Sequence, residues 1–241
     1  MQEGIFLRPL LDLLFPSVCA FCGASVLGDR CLCDSCMEKV RYPQSPLCIR
    51  CGTVFRSGED HLCGPCLRQP QPFAMARSVA LYFPPVDILL HRLKFRADKT
   101  VLSTLSAMCI SFDFSLFSCC DLILPVPLHP RRLQSRGMNQ SLVLAHVFFP
   151  AESGKIRSDC LLRTRNTPPQ TGLGGRERRK NLRDAFLVAR TAGIRGLSIC
   201  LVDDIFTTGT TVKECAGILM QAGAAEVRVL TMARVAGAGS R

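Results

Sequence analysis

Apolar positions along this chain recur with two periods, and the switches between them outline alternating strands and helices. The apolar run at residues 197–202 reads as a buried strand ending in two adjacent carboxylates, Asp203 and Asp204. After two more apolar residues come Thr207, Thr208, Gly209, Thr210 and Thr211, then a helical stretch at 212–222. Further strands are expected at 76–83, 121–126, 156–162, 185–188 and 226–233. Val86, Leu89, Leu90 and Leu93 share one helical face. Residues 99–110 and 140–149 read as two more helices, the second capped by Asn139. Strands alternating with helices predict an α/β fold with a parallel sheet flanked by helices.

Residues 17–72 break this rhythm. They carry four C-x-x-C knuckles: Cys19 with Cys22, Cys33 with Cys36, Cys48 with Cys51, and Cys63 with Cys66. A knuckle turns two sulfurs to one side, and two knuckles close a tetrahedral four-sulfur shell around Zn²⁺. Sequential pairing is the simplest arrangement, and an interleaved one is also compatible with the spacing. Cys31 either competes with Cys33 as a ligand or stays free. A closed all-sulfur shell leaves no open position, so its zinc is structural or recognitional rather than catalytic. His61 reads as surface. Gln69-Pro70-Gln71-Pro72 reads as a linker. It divides the chain into an N-terminal segment with a double zinc ribbon (1–72) and an α/β domain (73–241).

Composition sharpens the picture at three points. Nine of the 15 cysteines lie in the first 66 residues, without a basic leader and cleavage site, so metal is a better reading than disulfides. The apolar stretch at 5–16 is interrupted by Arg8, Pro9 and Asp12 and is expected to be a short amphipathic helix. No run is long enough to span a membrane, and a cytoplasmic location is expected. The formal charge of +11 points to an anionic partner, either nucleic acid or a phosphorylated metabolite.

The Thr/Gly turn after the acid pair suits a phosphate. Backbone N–H groups at a helix start point outward, the helix dipole favours an anion, and threonine hydroxyls add donors. A P-loop is excluded, because the only Gly-Lys pair, Gly154-Lys155, is followed by Ile156. Residues 127–140 carry Arg131, Arg132 and Arg136 without an acid and read as a cationic loop; His129 in it is an acid–base candidate or plain polar surface. Lys94 and Arg96 face a phosphate or solvent. Residues 163–184 hold seven Lys/Arg against Glu177 and Asp184, and read as a basic lid or a nucleic-acid grip. With no Trp and two Tyr, base stacking falls to Phe or Arg.

Several strings together carry a resemblance: the knuckles, Leu93-Lys94-Phe95, Pro125-Val126-Pro127, Arg136-Gly137-Met138-Asn139-Gln140, and Thr167-x-x-Gln170-x-x-Leu173 leading to Arg178 and Asn181. With Val202-Asp203-Asp204-Ile205-Phe206-Thr207-Thr208-Gly209 they resemble the ComF family of competence-associated proteins, including its ComFC and GntX-like members. Met138 stands where that family usually has Phe. The resemblance implies a type I phosphoribosyltransferase-like domain binding 5-phosphoribosyl 1-diphosphate (PRPP) with Mg²⁺. On that reading Asp203 and Asp204 contact the ribose hydroxyls and Thr207, Thr208, Gly209, Thr210 and Thr211 hold the 5′-phosphate. The loop through Arg136 and Gly137 faces the pyrophosphate, and Arg163, Arg165, Gln170, Arg178 and Asn181 belong to a flexible hood. It also implies a role in DNA uptake and natural transformation, with single-stranded DNA and competence proteins as partners. The phosphoribosyl acceptor stays open. The alternative is a non-catalytic single-stranded-DNA-binding or partner-docking module that keeps the PRPP fold as a sensor.

Overall fold

The computed structural model describes residues 17–26, 28–166, 185–189 and 193–236. The helix expected at 5–16 and most of the 163–184 hood, including Gln170, Arg178 and Asn181, lie outside the described residues.

The cysteine-rich segment carries two short strands, β1 (Ser17–Val18) and β2 (Ser25–Val26), and two short helices, α1 (Asp34–Met37) and α2 (Gly64–Arg68). Four strands form a parallel sheet: β3 (Met75–Leu81), β4 (Leu122–Pro125), β7 (Ser198–Phe206) and β8 (Glu226–Arg234), in the order β3-β8-β7-β4. The two central strands are buried on both faces, as near-continuous apolar runs require. Strand side chains alternate, and the core follows that alternation. Ile199, Leu201, Val227 and Val229 face one side, while Cys200, Val202, Leu230 and Met232 face the other.

On the second face lie helices α3 (Val86–Arg96), α4 (Val101–Met108) and α6 (Gln140–Phe148). α3 buries Val86, Leu89, Leu90 and Leu93, the face its apolar spacing predicts. The first face packs on helix α7 (Thr210–Gln221) and on a small antiparallel ribbon of β5 (Leu161–Arg163) and β6 (Phe186–Val188).

The cysteine-rich segment is divided between the two faces. Cys19, Val26, Leu32, Cys36 and Val40 join the helical face, whereas Cys48, Cys51, Cys63, Cys66 and Phe73 join the other. Between them the chain runs along the free edge of β3. The carbonyl of Arg41 accepts from the Leu81 N–H at 2.7 Å, and that of Arg50 from the Ala76 N–H at 2.7 Å. Unpaired edge groups are thereby satisfied. Gly52 makes the approach possible: its φ is +71°, and a Cβ there would sit 2.7 Å from the Ala76 carbonyl oxygen.

Three expectations need correction. The strand expected at 156–162 is split: Ile156 bridges Ile123 at the β4 edge, and pairing resumes only at Leu161, against β6 rather than in the main sheet. The cationic loop at 127–140 contains helix α5 (Pro130–Arg136), started by Pro130 and stopped by Gly137 at φ +73°. Strand β7 does not end before the acid pair but runs on to Phe206, with Asp203 opposite Thr231 and Ile205 opposite Ala233.

Candidate functional site

The carboxyl ends of β4 and β7 open on one crevice, the usual position for a ligand in a parallel α/β sheet. Both carboxylates sit there, part-buried. Asp203 Oδ1 accepts from Ser141 Oγ at 3.0 Å and from the Asp204 N–H at 2.9 Å. Burial pushes its carboxyl up to about 7, helped by the neighbouring Asp204; those hydrogen bonds and Lys94 act the other way. Asp204 Oδ2 lies 3.6 Å from Lys94 Nζ, and its Oδ1 accepts from the Ile205 N–H at 2.8 Å. Successive strand residues point to opposite sides, so the two acids meet different partners.

Next to them, Thr207 and Thr208 are exposed, and Gly209 starts α7 in the left-handed region at φ +71°. A side chain at 209 is excluded twice, since its Cβ would lie 2.5 Å from the Phe206 ring. Thr208 Oγ1 and Thr210 Oγ1 are 2.8 Å apart. The turn thus places threonine hydroxyls and helix-start amides beside the acid pair.

The cationic side comes from α5 and its flanks. His129 caps α5, its Nδ1 accepting from the Arg131 N–H at 3.3 Å, which is the plain structural use of that residue. Arg136 Nη1 donates to Gln140 Oε1 at 3.3 Å. Asn139 accepts from the Ser141 N–H at 3.1 Å, as a cap should, and donates to the Val126 carbonyl at 3.2 Å. The Arg-Gly-Met-Asn-Gln string therefore stops one helix, starts the next and ties both to the end of β4. Arg163 is buried at the end of β5, its guanidinium 5.3 Å from the Phe186 ring centre. Burial draws its pKa down to about 10, with Arg132 and Arg136 adding to the effect and Cys215 and Asp203 opposing it. Arg165 is exposed.

One member of the crevice escapes sequence reading: Ser141 carries no charge, and only the packing of its helix on the sheet brings it to Asp203. Lys94 reads as facing a phosphate or solvent, and the fold gives it Asp204 as a partner.

Away from the crevice, the cysteines form two clusters, Cys19/Cys22/Cys33/Cys36 and Cys48/Cys51/Cys63/Cys66, each with sulfurs within 4.8 Å of one another. Pairing is sequential rather than interleaved. Zn–S bonds of about 2.3 Å place tetrahedral sulfurs about 3.8 Å apart. Cys22 and Cys33 sulfurs are 3.6 Å apart, as are those of Cys51 and Cys63, so the donor sets fit structural zinc. Cys48 Sγ also accepts from the N–H groups of Cys51 and Cys63 at 3.4 and 3.3 Å, which favours a thiolate. Cys31 is outside the shell: its sulfur lies 3.3 Å from Thr104 Oγ1. His61 stacks on Phe55 at 4.0 Å.

These features define an α/β protein with a double zinc ribbon and an acid pair at a sheet end. The double zinc ribbon domain family matches residues 10–67. DNA utilization protein YhgH of Escherichia coli (strain K12) is 34% identical over 229 residues, covering 92% of this chain and 99% of the relative. Competence protein F of Haemophilus influenzae is 29% identical over 84% of this chain and 90% of its own length. Competence protein ComFC of Bacillus subtilis (strain 168) is 28% identical over 86% and 85% respectively. The chain belongs to the ComF family. Among the described residues no helix is long and apolar enough to cross a membrane.

Proposed function

We propose that this chain binds PRPP, or the 5′-phosphate of a nucleotide, in the crevice between β4 and β7, and serves DNA uptake from the cytoplasm. The observation that carries the reading is the Asp203–Asp204 pair fixed beside a helix-start turn whose Gly209 cannot bear a side chain. The carboxylates accept hydrogen bonds from two adjacent ribose hydroxyls, with Ser141 and Lys94 holding them in place. The Thr207–Thr211 turn takes the 5′-phosphate through its amides and hydroxyls. Arg132 and Arg136 face the pyrophosphate. Mg²⁺ bound with the diphosphate supplies neutralising charge for it. Attack of an acceptor nucleophile on ribose C1, with the C1–O bond to pyrophosphate breaking, is the reaction such an arrangement supports, since cationic side chains stabilise the departing charge. The DNA-uptake part rests on the names of the relatives, competence and DNA utilization proteins.

Titration calorimetry of the zinc-loaded chain with PRPP and Mg²⁺, beside 5′-AMP, tests the site. Saturable heat is expected with the wild type and none with Asp203→Asn/Asp204→Asn. Absence of heat with both ligands rejects the phosphate site. In a transformation assay, unimpaired function of the double variant removes the site from DNA uptake.

A further inference from the structure

Helix α3 turns a second stripe outward. Ile88, His91, Arg92 and Phe95 follow the i, i+3, i+4, i+7 spacing of one helical surface, and Arg96 extends it. Phe95 is 61% exposed, although it directly follows Lys94, the partner of Asp204. Two cations and an imidazole flank the ring. Lys94 Nζ and the Arg136 guanidinium each lie 5.8 Å from its centre, near the outer limit of a cation–π contact, and His91 tilts against it at 4.6 Å. His91, Arg92 and Arg96 of the same helix also line a cavity of about 480 Å³, with Asp87, Ile88, Tyr82 and, from the first zinc ribbon, Ala20. An exposed aromatic ring flanked by cations, on the helix that lines this groove, matches what an unpaired base and its phosphates require.

We infer that Phe95 is a stacking platform for an unpaired base of single-stranded DNA, whose flanking phosphates lie against Lys94, Arg136 and Arg96. The strand passes over the α3 stripe toward the first zinc ribbon and brings its base to the edge of the crevice. This inference rests on the DNA-uptake reading and not on PRPP binding. Duplex DNA is a poor ligand here, because its bases are already stacked on one another. A nucleoside monophosphate offers the same base but only one phosphate, so it reaches the ring without the groove contacts.

The chain has no Trp, so Phe95→Trp places the single Trp at the platform, excited selectively beyond the absorption of the two Tyr. In titrations of the zinc-loaded full chain with an oligothymidine of about 20 nucleotides at low salt, its emission is expected to be quenched. The quench is expected to be weaker with dTMP or with a duplex of equal length, and to be lost on an abasic strand. Anisotropy with labelled oligothymidine reads affinity. Phe95→Leu, which keeps apolar bulk without a π face, is expected to weaken binding roughly five- to hundredfold, and Phe95→Trp to keep it within about twofold. Phe95→Leu binding as tightly as wild type, or equal quenching by the abasic strand, overturns the proposal. Phe95→Leu is expected to keep its PRPP heat while losing DNA affinity. Failure of the platform and failure of the phosphate site are thus read separately.

Discussion

Asp203 illustrates what a single residue shows before and after folding. Along the sequence it is one of two identical acids. In the fold it shares a strand with residues buried on both faces, and its carboxyl rises to about 7, first through burial and then through Asp204. An unfolded aspartate titrates near 4. Between about pH 4 and 7 the native chain therefore holds a proton that the unfolded chain has released. This group's contribution to stability thus falls as pH rises through that window and is level outside it. Asp203→Asn removes the titration. Its stability relative to wild type, from urea unfolding at pH 4, 5.5 and 8, is expected to increase steadily and then level off. An increment that does not change with pH would refute the burial account. The two acids could be read directly, but their different partners could not, because Ser141 and Lys94 come from two different helices.

At the scale of elements, the phosphate turn is the piece that sequence reads best and a point substitution breaks most clearly. Gly209 is held at φ +71° over the ring of Phe206, and that ring is itself fixed edge-on to Phe73 at 6.4 Å and beneath Arg234 at 5.3 Å. The ring has little room to yield. Gly209→Ala is expected to destabilise the chain by about 1–3 kcal/mol and to weaken any phosphate binding at the turn. Denaturant midpoints measure the first effect, and a change below about 0.5 kcal/mol would show that the turn relaxes. Element boundaries were harder to read. Strand β7 continues through both acids because β8 offers ladder partners to polar residues, which an apolar run does not register. Helix α5 was hidden by its arginines, since no buried residue marks an inner face for it. The 156–162 run reads as one strand, yet its two ends pair with different neighbours.

For the whole molecule, the zinc ribbons act as two clamps on opposite faces of one sheet. The second is joined to β8 by Arg234, whose buried guanidinium donates to the Cys51 carbonyl and, at 2.8 Å, to Thr53 Oγ1. Losing a zinc shell should therefore be felt by the sheet. Cys66→Ser is expected to remove one of two bound zinc ions, read by elemental analysis. It is also expected to lower a single melting transition by about 10 °C or more, since each kcal/mol lost is about 2–4 °C in a chain of this size. Two separate transitions, the higher one unchanged, would show that the ribbon folds independently. The sequence by itself determined the knuckles, the alternation of strands and helices, the acid pair and the Thr/Gly turn, because each is a local pattern with a local physical cause. The tertiary structure alone decided that the ribbons take opposite faces, that Cys31 stays outside the zinc shell, that Ser141 and Lys94 meet the acids, and that Phe95 stays exposed beside Arg136. Those depend on which distant surfaces are packed together, a property of the buried core that no short window of sequence contains.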